Sequence, residues 1–161
     1  SATLERRLAH GGGHTGWSRA WIVNLYARLG NGEAALQNLR ELWSRSTFPN
    51  RMDNHPMGSG AVFQIDGNFG ATAAIAEMFL QANEERVLLL PALPSEWAEG
   101  SIKGLAVPGG ALIDLSWSDG KMLGCTIKAV QDYHGKFYYC WLCKHVSLQA
   151  GQESSLEFPA C

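Results

Sequence analysis

The sequence lacks any apolar run of about 18 residues, the length that a transmembrane helix requires. It also lacks an excess of charge of either sign. Its formal net charge of −2 gives no electrostatic reason to expect binding to nucleic acid or to an anionic membrane. The first residues contain no apolar segment of the signal-peptide type, and the chain does not start with methionine. We therefore expect a fragment or a processed piece of a longer protein.

The sequence does contain enough apolar material for a folded core. Hydrophobic residues make up 46% of the 161 residues and charged residues 17%, a composition unlike that of disordered chains. Six residues are tryptophan. Tryptophan often lies in a core, but an exposed indole ring also stacks on sugar faces, so this content hints at carbohydrate binding.

The four cysteines are candidates for metal or redox chemistry. Cys140 and Cys143 have the C-x-x-C spacing, but no second pair of ligands at similar spacing completes a zinc site. A redox motif of this type opens a helix after a strand, whereas this pair lies in an aromatic, strand-like run. We expect the cysteines to behave as small hydrophobic residues, and we predict neither a metal nor a cofactor.

Helical periodicity dominates the first half of the chain. Residues 1–9 form the end of a helix, and three glycines at 11–13 break it. A second helix over about 16–29 is apolar on most of its circumference, which predicts burial between neighbours. Residues 32–45 form an amphipathic third helix, with Trp43 in its buried stripe, and the short link between the two predicts an antiparallel hairpin. A last helix is predicted from Asn68 or Phe69 to Gln81.

The pattern changes to β structure after residue 86. Residues 87–90 form a short buried strand, 111–117 alternate between apolar and polar, and Asp119-Gly120 is a typical hairpin turn before a return strand over 121–130. A further strand is predicted over 136–143, with Phe137, Tyr139 and Trp141 on one face, and no signal follows residue 147. The sequence thus predicts an α+β chain, with a helical part at 1–86 and a linker and β domain at 87–161.

One loop between the helices is a candidate functional site, because it ends in a carboxylate flanked by glycines. Residues 46–67 are too apolar for a disordered loop, which favours a functional one. Asp66 stands at the start of a helix, where the dipole favours negative charge, and Gly67 and Gly70 let the backbone approach a ligand closely. The same features are typical of a plain capped helix with Asp66 or Asn68 as N-cap, and local physics alone favours that interpretation.

Several segments favour the functional interpretation over a plain helix cap, because they occur together and in a particular order. Residues 11–21, 24–29, 55–56, 63–70, 76–78 and 89–94 together resemble the C-terminal region of glycoside hydrolase family 95. The resemblance covers about residues 4–130. That family contains inverting α-L-fucosidases that act on terminal α-1,2-linked fucose, and some members act on α-L-galactose. The resemblance implies the last helices of an (α/α)6 toroid followed by a small antiparallel β domain.

The resemblance also implies roles for particular residues. Asp66 matches the aspartate that assists activation of the attacking water, and His55 is similar to a sugar-contacting histidine. Trp17 and Arg19 lie in a segment that lines the cavity of the family, and Asn68 is predicted with them to bind the substrate. Relatives keep the His-Pro pair closer to the motif at 63–70, so residues 57–62 look like a local insertion. The general acid of the family is a glutamate far upstream, so Glu77 is interpreted as structural.

Three further expectations follow from the resemblance. The partners are a fucosylated oligosaccharide substrate and the upstream part of the same parent enzyme, which the resemblance implies is secreted or at the cell surface. One alternative is a carbohydrate-binding accessory module without catalysis, and another is an α-L-galactosidase. A third alternative, a glycoside phosphorylase of the same toroid type, lacks support because no phosphate-binding loop is present.

Overall fold

The computed structural model describes residues 2–159 and divides into two units, residues 1–78 and 79–161. The first unit contains helices α1 (Ala2–Ala9), α2 (Gly16–Arg28), α3 (Gly32–Arg45) and most of α4 (Ile65–Phe79). The four predicted helices are therefore confirmed, although α4 begins three residues earlier than expected. Within the predicted loop, β1 (Asn54–Met57) and β2 (Gly60–Phe63) pair as an antiparallel hairpin.

Short-range chemistry sets the turn between α2 and α3. Gly30 adopts a φ of 70°, which ends α2, and the Asn31 N–H donates to the carbonyl of Tyr26 at 2.9 Å. The Asn31 side chain then accepts the N–H of Ala34 at 3.0 Å and caps α3. The two helices pack against each other as the predicted hairpin.

The burial of α2 differs from the prediction. One face is buried through Ile22, Val23 and Ala27, but Trp21 is 66% exposed and Leu29 is 57% exposed. Apolar residues around the whole circumference therefore do not mean burial around the whole circumference here. On α3, Trp43 was expected in the buried stripe but is 38% exposed. No helix within residues 2–159 is both long and apolar enough to cross a membrane.

The second unit is built from two four-stranded sheets. Its strands are β3 (Leu80–Ala82), β4 (Val87–Leu89), β5 (Gly100–Val107), β6 (Ala111–Ser118), β7 (Lys121–Ala129), β8 (Tyr133–Tyr139), β9 (Leu142–Leu148) and β10 (Glu153–Leu156). One sheet has the order β10-β7-β6-β5 and is antiparallel throughout. The other has the order β3-β4-β8-β9, in which β4 and β8 run parallel. The chain is thus an α+β protein, as predicted, but the β domain is not purely antiparallel as expected, because β4 and β8 pair in parallel.

The alternating pattern of β6 is confirmed by its burial. Ala111, Ile113, Leu115 and Trp117 are buried, and the residues between them are half-buried. Asp119 and Gly120 both have positive φ, 51° and 70°, as a two-residue hairpin turn of type I′ requires. These positions connect β6 to β7 as the sequence predicts.

The C-terminal third contains the largest errors of the prediction. Phe137 and Tyr139 are buried as expected, but β8 ends at Tyr139, so Trp141 lies in the following turn and is 77% exposed. The residues beyond 147, which gave no signal, complete β9 and form β10. β10 contributes only Leu156 to the core, which explains why its sequence shows no clear alternation.

The cysteines fulfil the expectation only in part. Cys125 is buried in the core, where desolvation raises the pKa of its thiol to about 12, so this cysteine is a small inert hydrophobic residue. Cys143 has an exposed free thiol, and Cys140 is disulfide-bonded. Cys140 and Cys143 are therefore not a dithiol pair, and the prediction that these two cysteines behave as small hydrophobic residues is wrong.

Phe137 is expected to be a major contributor to the stability of the second unit. It is fully buried among residues of both sheets, so Phe137→Ala should lower the free energy of unfolding by about 3–5 kcal/mol. Urea denaturation of the 161-residue chain, followed by far-UV circular dichroism, measures the change. The control is Trp141→Ala on the same hairpin, which removes an exposed ring and should change the free energy by less than about 0.5 kcal/mol. Equal losses in both variants would contradict the placement of the core.

Candidate active site

Asp66 is the second residue of α4 and lies in its first turn with an exposed side chain. The chain reaches this point from the β1–β2 hairpin through Gln64. A carboxylate in the first helical turn is favoured by the unpaired N–H groups and the dipole of the helix. The predicted position of Asp66 at the start of a helix is thus confirmed, and its side chain is accessible to a ligand.

Asp66 forms part of the wall of a cleft of about 500 Å³ between α2 and α4. The cleft is lined mainly by apolar and aromatic side chains, namely Trp17, Ala20, Trp21, Asn24, Leu25, Ile65, Asp66, Phe69 and Gly70. The structure therefore brings together Asp66 and Trp17, two of the residues predicted to belong to the site. Phe69 and Trp21 present exposed rings at the same cleft.

One hydrogen bond and one glycine hold the two walls of the cleft together. A methyl group on Gly70 would lie 2.8 Å from the Ala20 side chain, so the helices approach as closely as glycine allows. The Asn24 amide donates to the carbonyl of Ala20 at 2.8 Å and to that of Gly70 at 2.9 Å. The bond to Ala20 lies within α2 and orients the Asn24 amide, and the bond to Gly70 joins α2 to α4 and helps to set the width of the cleft.

Glu77 lies farther along α4 and forms an ion pair with Arg28 of α2. Its two carboxylate oxygens lie 2.6 Å and 2.7 Å from nitrogens of Arg28 on α2, a bidentate ion pair between the two helices. Glu77 is absent from the cleft lining. This geometry agrees with the interpretation of Glu77 as a structural residue.

His55 lies in β1, opposite Val62 of β2, and does not line the cleft. Its Nδ1 atom is buried and makes no hydrogen bond with any described residue. Residues 57–62, which the resemblance predicts to be a local insertion, form the end of the β1–β2 hairpin, with Gly58 at a φ of 59° in the turn. His55 thus lies one pair above the base of this hairpin, which Asn54 and Phe63 form.

Asn68 connects the loop to the first turn of α4. Its side-chain oxygen accepts the N–H of Asp53 at 2.8 Å, and its amide donates to the carbonyl of Arg51 at 2.8 Å. Asn68 is therefore inside the helix and clamps the preceding loop, and it is not an N-cap. Its contacts position the backbone next to Asp66.

Arg19 faces a different part of the first unit. It lines a smaller cleft of about 360 Å³ with the glycines at 11–13 and with Glu41 and Arg45. Its guanidinium donates to the Asn38 side chain at 2.9 Å, and burial lowers the pKa of Arg19 from its usual value. The structure thus does not place Arg19 in the cleft that contains Asp66 and Trp17.

Asp53 is a charged residue that the sequence analysis missed. It is completely buried, two positions before His55, and neither of its carboxylate oxygens accepts a hydrogen bond from a described residue. Burial raises the pKa of Asp53, His55 lowers it, and the like charge of Asp66 raises it further. No local spacing in the sequence marks Asp53, because Gly16 and Gly67, which lie next to its carboxylate, are distant in the chain. Among residues 2–159, no group of three or more potential ligands is arranged to bind a metal ion.

An exposed carboxylate in a cleft of aromatic side chains defines a candidate carbohydrate-processing site. The sequence matches the family model for the glycosyl hydrolase family 95 catalytic domain over residues 1–79 and that for the glycoside hydrolase family 95 C-terminal domain over residues 81–157. The two matches together span nearly the whole chain. The chain belongs to glycoside hydrolase family 95.

Curated relatives agree with this assignment. The chain is 34% identical over 134 residues to alpha-L-fucosidase 2 of Arabidopsis thaliana, an alignment that covers 76% of this chain and 15% of that protein. It is 35% identical over 117 residues to probable alpha-fucosidase A of Aspergillus oryzae, covering 65% of this chain and 16% of that protein. The chain therefore spans about one-sixth of the length of these relatives.

Proposed function

We propose that this chain is the C-terminal part of an α-L-fucosidase, called the parent enzyme below, that removes terminal α-1,2-linked fucose with inversion. The observation that supports this proposal most directly is the exposed carboxylate of Asp66 in the aromatic cleft between α2 and α4. Membership of glycoside hydrolase family 95 and the names of the curated relatives support the same activity.

Asp66 is proposed to assist activation of the attacking water. An inverting glycosidase places a base on one face of the sugar and an acid on the other, with the two groups about 6.5–9.5 Å apart. Asp66 is exposed, so a water molecule can reach it. The acid is proposed to come from the upstream part of the parent enzyme, because Glu77 is engaged with Arg28 outside the cleft.

The aromatic walls of the cleft are proposed to bind the sugar. Trp17, Trp21 and Phe69 are all exposed and line the cleft with Asp66. Flat aromatic rings cover the apolar face of a pyranose, and fucose has an additional methyl group that favours an apolar surface. His55 and Asn68 are proposed to complete the substrate-binding side of the site, and Arg19 to act from its own cleft.

The rest of the catalytic domain is proposed to cover the exposed apolar side chains of the first unit. Trp21, Leu29 and Phe69 are each more than half exposed, which is unusual for large apolar residues on neighbouring helices. In an (α/α)6 toroid, α2 and α3 would be one helical hairpin and α4 part of the next. Upstream helices would then close the ring around the cleft.

The parent enzyme is expected to release β-L-fucose from 2′-fucosyllactose as its first product. Inversion converts the α linkage into the β anomer, and proton NMR during the first minutes of reaction distinguishes the two anomers before mutarotation. 3-Fucosyllactose is the control for linkage, and an α-L-galactoside tests the related sugar. First appearance of the α anomer would contradict inversion. Binding of fucosylated glycans without release would favour an accessory module, and preference for the galactoside would favour an α-L-galactosidase.

A further inference from the structure

Asp53 is an unusual residue because it is a fully buried carboxylate without a hydrogen-bond donor. Its side chain has no exposed surface, and both oxygens lack partners among the described residues. Its backbone is firmly held, since Asp53 forms an isolated bridge with Thr47 and its N–H donates to Asn68. An ionised carboxylate in such a place lowers stability, because burial removes its hydration without supplying hydrogen bonds in return.

Two glycines make room for this carboxylate. Gly16 is the first residue of α2 and Gly67 the third residue of α4, and a methyl group on either would overlap with the Asp53 carboxylate. The carboxylate thus lies at the N-terminal ends of both helices, where their dipoles favour a negative charge. The first turn of α2 contains no acidic residue, and Thr15 makes no side-chain capping bond. When it is ionised, Asp53 places a negative charge at the start of α2, which has no acidic residue in its first turn.

The same carboxylate is linked to the candidate site in two ways. Asn68, which binds the Asp53 N–H, lies in the same first turn of α4 as Asp66. The charged groups that act on Asp53 are His55 from β1 and Asp66 from α4, while Gly16, which faces it from α2, is uncharged. Any change in the position or charge of Asp53 will therefore affect both residues.

We propose that Asp53 is a positioning residue of this site, and that its buried carboxylate between Gly16 and Gly67 fixes the first turn of α4 and the charge environment of Asp66 and His55. This inference rests on the proposed function, because Asp53 acts through Asp66. A buried carboxylate without hydrogen bonds lowers the stability of the fold. This cost is the reason to assign Asp53 a positioning role and not a purely structural one. A neutral side chain would hold the loop without placing an unsolvated charge in the interior.

The test is Asp53→Asn in the parent enzyme, assayed on 2′-fucosyllactose. We expect kcat to fall at least ~10-fold, because small displacements of a catalytic group reduce rates strongly. The acid limb of kcat/KM should move to lower pH, since the substitution removes the negative charge of Asp53 that acts on the like charge of Asp66. Asp132→Asn is the matched control: Asp132 accepts the N–H of Ala150 in the second unit, and its replacement should leave kcat and the pH profile unchanged.

The melting temperature provides a second readout, and Asp53→Asn should raise it at pH 7 while it lowers kcat. A pKa raised in the folded state means that the fold binds more protons than the unfolded chain above pH 3.8, so the stability of the wild type falls as pH rises through the raised pKa of Asp53. Asp53→Asn has no such fall. Its melting temperature should therefore exceed that of the wild type at pH 7, and the difference should shrink as pH decreases.

The outcomes separate this inference from the proposed function. An inactive wild-type parent enzyme overturns both. An active wild type with unchanged kcat and pH profile in Asp53→Asn overturns the role of Asp53 alone. Asp53→Ser, whose smaller neutral side chain fits between the two glycines, is measured alongside in case the amide does not fold. A lower melting temperature at pH 7 in both variants, or failure of both to fold, would show that Asp53 is structural and overturn the inference.

Discussion

Replacing Asp66 with asparagine in the parent enzyme is expected to lower kcat/KM for fucose release by about 10²–10⁴-fold, the range that a positioned general base contributes. Asparagine has nearly the same shape but cannot accept a proton from water. Because the Asp66 side chain is exposed, its replacement should leave the fold and the melting temperature nearly unchanged. Steady-state kinetics with 2′-fucosyllactose measure the loss, which should fall on kcat.

A control on the same helix distinguishes chemistry from structure. Glu77→Gln removes the carboxylate of the ion pair with Arg28, outside the cleft, and should lower stability modestly while kcat stays near that of the wild type. If Asp66→Asn retained most of its activity, Asp66 would be an ordinary charge in a first helical turn. The assignment of the base would then have to move to another residue of the parent enzyme.

The 161-residue chain alone is expected to show no measurable release of fucose. An inverting glycosidase needs both an acid and a base, and this chain is proposed to supply only the base. The open apolar surface around Trp21 and Phe69 would also leave the sugar solvated on one side. A fluorogenic α-L-fucoside at high enzyme concentration provides the most sensitive assay, and the parent enzyme at equal concentration is the positive reference.

Folding of the chain must be verified in the same sample. Far-UV circular dichroism should show both the helices of the first unit and the strands of the second. Robust turnover by the folded chain would contradict the division of catalytic groups and would require a second carboxylic acid within residues 2–159. If the sample shows neither turnover nor the circular dichroism signal of the folded chain, the assay is repeated after refolding.

Local sequence patterns predicted the elements that depend on residues close to one another in the chain. The hairpin of α2 and α3 follows from periodicity and from Gly30 and Asn31, and β6 follows from strict alternation ending at Asp119-Gly120. The position of Asp66 in the first turn of a helix was also predictable from its neighbours. Its interpretation as catalytic was not, because caps and active sites use the same residue types there. That interpretation depends on the resemblance to the family and stays a prediction.

Other features depend on partners that the local pattern does not contain. The exposed face of α2 is apolar in sequence, and only the packing shows that Trp21 lies on the open side. β10 is a short edge strand that contributes one buried residue, so its sequence shows no periodicity. Asp53 was missed because its importance comes from Gly16 and Gly67, which lie 37 and 14 positions away in the chain. Residues joined only by tertiary contact have no spacing rule that would reveal them.

The β1–β2 hairpin has a consequence for how this region can vary in length. In an antiparallel pair, opposite residues lie only about 4.5–5.5 Å apart, so the chain returns to the place that it left. Asn54 and Phe63 form the last pair at the base, and residues 57–62 are all exposed. Lengthening or shortening the tip therefore leaves the anchor points in place. The hairpin offers a position where a peptide tag or a fluorophore could be inserted beside the cleft without displacing Asp53 or Asp66.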